Sequence, residues 1–167
     1  MKYSIFHTSH CGSTLLAVML SKSVSTVTEP LWSHEIRRTE NFSEKLKLVE
    51  NNHKEDLLVK YPSLCTEVAP FVEGKKIFLY RNFKSHMNKL APDDWLYEAN
   101  FWNQRFNNLI NSKDVLFIDS DYFLKNQQST CEEICSWFSI VYKPLPDIDF
   151  HVKEAGYNHN DNPIKLW

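Results

Sequence analysis

Three short runs are apolar without a break: Leu57-Leu58-Val59-Lys60, Lys76-Ile77-Phe78-Leu79-Tyr80-Arg81 and Val115-Leu116-Phe117-Ile118-Asp119. A strand with one wet face alternates apolar and polar residues, whereas a strand covered on both faces reads as a continuous apolar run. The runs therefore predict a parallel sheet with helices on both sides. Residues 3–7 and 24–28 add two shorter extended pieces, the second ending at Glu29-Pro30, where proline turns the preceding residue away from helix. Helical patterns fill the gaps. Residues 33–52 read as a charge-rich, largely solvated helix or helix pair. Residues 94–110 carry Trp95, Leu96, Ala99, Trp102, Phe106 and Leu109 at helical spacing, and residues 130–138 form a last helix. Strands alternating with helices give an α/β layered domain with a mainly parallel central sheet, and 167 residues suffice for one core. The sequence predicts a single domain over residues 1–167, with residues 146–167 as polar loop or tail.

Composition narrows the chemistry. Nineteen Lys and Arg against 21 Asp and Glu leave a formal charge of −2, so no basic footprint asks for nucleic acid. Only 3 glycines occur, where ~7% usage would supply about 12. That excludes a G-x-G-x-x-G dinucleotide turn. Cys11, Cys65, Cys131 and Cys135 have no zinc-finger spacing, and Cys131 and Cys135 read as core residues of the last helix. No signal-like or membrane-spanning run is present, so the expectation is a cytoplasmic protein with no membrane partner.

One of the few glycines lies in an informative place. The first strand breaks at Thr8-Ser9-His10-Cys11-Gly12-Ser13-Thr14 and resumes as a helix beginning near Leu15. The N-terminus of the helix after strand one offers unpaired N–H groups and a positive dipole end to an anion. Gly12 lets the backbone approach closely, Ser13 and Thr14 add hydroxyls, and His10 adds a ring donor. This is the chemistry of a phosphate or sulfate cradle, although an ordinary capped turn satisfies the same spacing. At this helix start, the Cys11 thiol is expected to have a lowered pKa. A nucleoside-triphosphatase loop would need lysine where Ser13 stands.

Ser9-His10-Cys11-Gly12-Ser13-Thr14-Leu15-Leu16 resembles the 5′-phosphosulfate-binding loop of the sulfotransferases. In the same order along the chain, Thr28-Glu29-Pro30-Leu31-Trp32 is similar to the Glu-Pro-Leu-Trp segment of carbohydrate sulfotransferases. Residues 76–82 resemble the strand ending in an arginine that holds the 3′-phosphate of the cofactor, and residues 115–138 resemble the late strand and helix of that fold.

The resemblance implies a three-layer, P-loop-like α/β fold. It also implies transfer of a sulfuryl group from 3′-phosphoadenosine 5′-phosphosulfate to a hydroxyl or amine of a small-molecule or glycan acceptor, without a metal. Under it, Ser9, His10, Cys11, Gly12, Ser13 and Thr14 cradle the phosphosulfate, and Arg81 with Lys89 holds the 3′-phosphate. His10 stabilises the leaving group, and Glu29 is the base. His10 stands where the family usually has lysine or arginine, and Lys89 where it usually has serine, the only nearby serine being Ser85. Cytosolic members place a catalytic histidine after a lysine; here the corresponding segment is Lys60-Tyr61-Pro62-Ser63, which points the base to Glu29. Lys60 itself reads as either a cation reaching solvent or a contact to the leaving group. His151, Lys153, His159 and Lys165 are tail cations able to cover the nucleotide. The competing classes are a P-loop kinase or nucleotide-binding enzyme, and an inactive nucleotide-binding protein on the sulfotransferase scaffold.

Overall fold

The computed structural model describes residues 1–9, 11–88, 92–146 and 165–166. Five parallel strands form the centre of the sheet: β1 (Tyr3–His7), β2 (Ser25–Thr28), β3 (Leu57–Lys60), β4 (Lys75–Tyr80) and β5 (Val115–Asp119). A sixth, β6 (Lys165–Leu166), runs antiparallel to β2, with Val27 opposite Lys165. The spatial order is β5-β4-β1-β3-β2-β6. The short β6 departs from the loop expected for the tail.

The helices are α1 (Ser13–Leu20), α2 (Leu31–Arg38), α3 (Phe42–Asn52), α4 (Phe83–Met87), α5 (Trp95–Ile110), α6 (Ser120–Lys125) and α7 (Gln127–Phe138). Alternation along the strands sorts two cores. Ile5, Leu58, Ile77 and Leu79 face one side and meet Leu16 and Leu20 of α1, Phe123 of α6, and Ile134 and Phe138 of α7. Phe6, Val59 and Phe78 face the other, against Ile36 of α2, Val49 of α3 and Leu109 of α5. The result is three layers, helix on sheet on helix. Cys131 and Cys135 are free thiols in the first of these cores.

Two predicted burial patterns are only partly realised. β5 is an edge strand, and Phe117 is 39% exposed there. On α5 only Arg105 and Leu109 are fully buried, while Trp95, Leu96 and Tyr97 of its first turn face solvent. Among the described residues, no helix is long and apolar enough to cross a membrane.

The register puts the strand exits at one edge of the sheet. His7 pairs with Leu79, Thr28 with Lys60, and Tyr80 with Asp119. β1 lies between β3 and β4, so the chain leaves it to one side through α1 and returns to its other side at β4. Such a switch of direction opens a crevice at the carboxyl ends of the strands. At the opposite edge, Gly74 turns the chain into β4 with φ +93°. A Cβ there would stand 2.1 Å from the Lys2 carbonyl oxygen, so only glycine fits.

Candidate functional site

The crevice is built from the exit of β1. Thr8 is fully buried; its N–H donates to the Leu79 carbonyl (3.1 Å), and its Oγ1 accepts from the Arg81 N–H (2.9 Å). The loop is thus tied to the end of β4. Gly12 at φ +85° delivers the chain into α1, whose N-terminus has no side-chain cap among the described residues. His7, Ser9, Cys11, Gly12, Ser13 and Thr14 line one cavity of about 360 Å³ together with Glu29, Lys60 and Ser63.

Glu29 and Lys60 meet because β2 and β3 are parallel and in register. Thr28 is opposite Lys60, and the Glu29 N–H donates to the Lys60 carbonyl at 2.7 Å. The Lys60 ammonium, 2% exposed, forms an ion pair with Glu29 Oε1. Glu29 has φ 45°, a left-handed conformation uncommon for a residue with a side chain. Its other oxygen lies 4.0 Å from His34 Nε2 of α2. The adjacent ammonium fixes the direction of the carboxylate.

Burial decides the remaining protonation states. His7 donates from Nδ1 to the Thr8 carbonyl (2.8 Å), and burial, aided by the Lys60 charge, pushes its pKa down to about 3. It is a neutral wall of the cavity. Burial also pushes the Cys11 thiol up to about 11, with no exposed surface left to the residue. The lowered thiol pKa expected at a helix start is therefore overturned: desolvation outweighs the dipole.

Among solved structures, a sulfotransferase from Alicyclobacillus acidocaldarius superposes with a TM-score of 0.53 at 11% sequence identity, covering 88% of this chain and 84% of that one. The chain has the sulfotransferase fold. A mouse sulfotransferase, SULT7A1 complexed with PAP, aligns over 99% of this chain and 70% of that one at 13% identity with a TM-score of 0.49; the fold assignment rests on the bacterial protein. No protein-family model matches the chain, and no curated protein does.

Within that sulfotransferase fold, the cavity brings together Ser9, Cys11, Gly12, Ser13, Thr14 and Glu29. Arg81 stands beside it rather than in it: its N–H is bonded to Thr8, its carbonyl accepts from Trp102 Nε1 (3.0 Å), and among the described residues its buried Nε has no hydrogen-bond partner. Ser85 donates to Asp121 Oδ2 at 3.1 Å, so its hydroxyl is engaged. His10 and Lys89 lie outside the described residues, as do His151, Lys153 and His159; Lys165 is described through its backbone in β6.

Tyr61, one of the two residues standing where a catalytic histidine would follow Lys60, is fully buried. It stacks on Phe6 at 4.8 Å, and its hydroxyl bonds His53 Nδ1 at 3.1 Å. Burial raises its pKa well above the ordinary phenol value. That position is part of the core. Lys60 does not reach solvent, which corrects one of its two sequence readings. Sequence reasoning did not place His7, Ser63 and His34 at the site. A signal existed for Lys60: a cation closing a run buried on both faces needs a carboxylate partner.

Proposed function

We propose that the protein transfers a sulfuryl group from 3′-phosphoadenosine 5′-phosphosulfate to an acceptor hydroxyl or amine in this cavity. The observation that carries the reading is the convergence of an uncapped helix N-terminus and an oriented Glu29–Lys60 pair on one cavity. The residues fit the cofactor. The N–H groups at the start of α1 and the hydroxyls of Ser13 and Thr14 supply the donors an anion needs. Arg81, one residue beyond β4 with a buried unpartnered Nε, supplies a guanidinium for a phosphate next to the loop.

When bound, the cofactor supplies an electrophilic sulfur on a phosphate leaving group. Glu29 accepts the acceptor's proton as the new bond to sulfur forms and the bond from sulfur to the phosphate oxygen breaks. Lys60 holds Glu29 in place and keeps a cation at the cavity wall. Donors at residues 11–14 meet the charge that collects on the departing phosphate oxygen, a task that fixed dipoles perform without reorganisation. His10 and Lys89 keep the roles of leaving-group donor and phosphate cation that the sulfotransferase resemblance implies for them.

A thermal-shift titration with 3′-phosphoadenosine 5′-phosphate tests the reading. The wild type should gain several degrees at saturating ligand, and Arg81→Ala should need at least about tenfold more ligand for the same shift. No shift in the wild type, or equal shifts in both, would remove the cofactor assignment.

A further inference from the structure

A second cavity, of about 440 Å³, is lined by His34, Arg37, Arg38, Lys45, Leu64 and Glu67. Its charge is lopsided: three fixed cations face one carboxylate, and that carboxylate is already taken by Lys45 in an ion pair. Arg37 and Arg38 are exposed, and among the described residues neither has a carboxylate within ion-pair distance. The chain as a whole is slightly acidic, so this concentration of positive charge is local. Cations in the last turn of α2 complement its dipole, but that does not explain why Lys45 of α3 and His34, a turn earlier on α2, converge on the same cavity.

The two cavities are lined by neighbouring residues. His34 lines the basic cavity and stands 4.0 Å from Oε2 of Glu29, a lining residue of the other; Leu64, in the basic cavity, directly follows Ser63 in the first. A molecule whose hydroxyl reaches Glu29 and extends past His34 enters a field of unpaired guanidinium groups. Guanidinium forks match carboxylate, sulfate and phosphate oxygens.

We propose that this cavity selects the acceptor: the substrate of the Glu29 site is a hydroxyl or amine compound that carries an anionic substituent, held by Arg37 and Arg38. The inference rests on the Glu29 cavity being the transfer site. The anion belongs either to an acidic sugar or to a small organic acid, and paired probes separate the two. Binding to the full-length protein saturated with 3′-phosphoadenosine 5′-phosphate is measured by calorimetry for an oligosaccharide of alternating glucuronate and N-acetylglucosamine against its neutral N-acetylglucosamine counterpart, and for 4-hydroxybenzoate against phenol.

The acidic member of at least one pair should bind at least about tenfold tighter. That advantage should shrink with added salt and disappear in Arg37→Ala/Arg38→Ala. The double variant should keep its affinity for 3′-phosphoadenosine 5′-phosphate, which also reports that it is folded. No preference for the acid in either pair, or a preference that survives the double variant, overturns the proposal. If the nucleotide fails to bind the wild type while acid binding still depends on the two arginines, the transfer reading fails and the anion site stands.

Discussion

Lys60 and Arg37 are both cations beside a cavity, but they are held in opposite ways. Lys60 is 2% exposed and is committed to Glu29, whereas Arg37 is exposed and has no carboxylate partner among the described residues. The first arrangement is rigid and nearly neutral; it directs a carboxylate and adds little net field. The second is solvated and carries surplus positive charge, which attracts an anion without fixing its geometry tightly. Buried, compensated charge suits bond making, where a misplaced atom costs rate. Exposed, uncompensated charge suits selection and steering, where tolerance is useful. The contrast follows from topology: Lys60 ends an interior strand, and Arg37 ends a surface helix.

Substitutions can break this comparison. The largest effect should come from Glu29→Gln, which keeps an acceptor for Lys60 but no base. Sulfuryl transfer should fall by roughly 10²–10⁴ with the melting temperature little changed, and a turnover assay near wild-type rate would end the base assignment. Lys60→Met removes the buried partner of the pair, so that the Glu29 carboxylate loses its ammonium. Chemical denaturation should show a loss of about 3 kcal/mol. A loss below about 0.5 kcal/mol would put Lys60 in the same class as Arg37.

Acid should also separate the two regions. His7 at the first cavity and His53 in the core have folded pKa values pushed down by burial, to about 3 and about 4. Below pH 6.5 the unfolded chain binds protons that the folded chain refuses. Stability is therefore full above the unfolded value and falls as pH drops from about 6.5 towards 4, by up to about 1.4 kcal/mol per pH unit for each histidine. His53→Gln, keeping one hydrogen bond, should flatten the slope in denaturant titrations run across that window; an unchanged slope would mean that His53 is already protonated in the folded protein. The smallest effect is expected at the basic cavity. Arg37→Ala/Arg38→Ala should change stability by less than about 0.5 kcal/mol, as for other exposed side chains, and a larger loss would show that these residues support the fold.

The sequence made the sheet legible where burial is continuous. The runs at Leu57–Lys60 and Val115–Asp119 have the bounds of β3 and β5, and the break after His7 places the loop and its glycine correctly. It was less informative where partners come from afar. Glu29 and Lys60 are 31 residues apart, and nothing in either segment announces the parallel register that pairs them. Cys11 was misread because its place at a helix start is a local fact, while its complete burial depends on the surrounding core. The apolar spacing of α5 similarly cannot show that its first turn stands clear of the sheet. The pairing of Lys165 with Val27 is also non-local, for neither segment alone specifies an edge to join.

The bond from the Arg81 N–H to Thr8 Oγ1 spans 73 residues. During synthesis the loop emerges early, yet its tether is missing until β4 and Arg81 have left the ribosome, roughly 4–15 s later at ~5–20 residues per second. Until then β1 can pair with β3 on one side but lacks β4 on the other. The part of the cleft made first therefore cannot take its final shape until about half of the chain has been made.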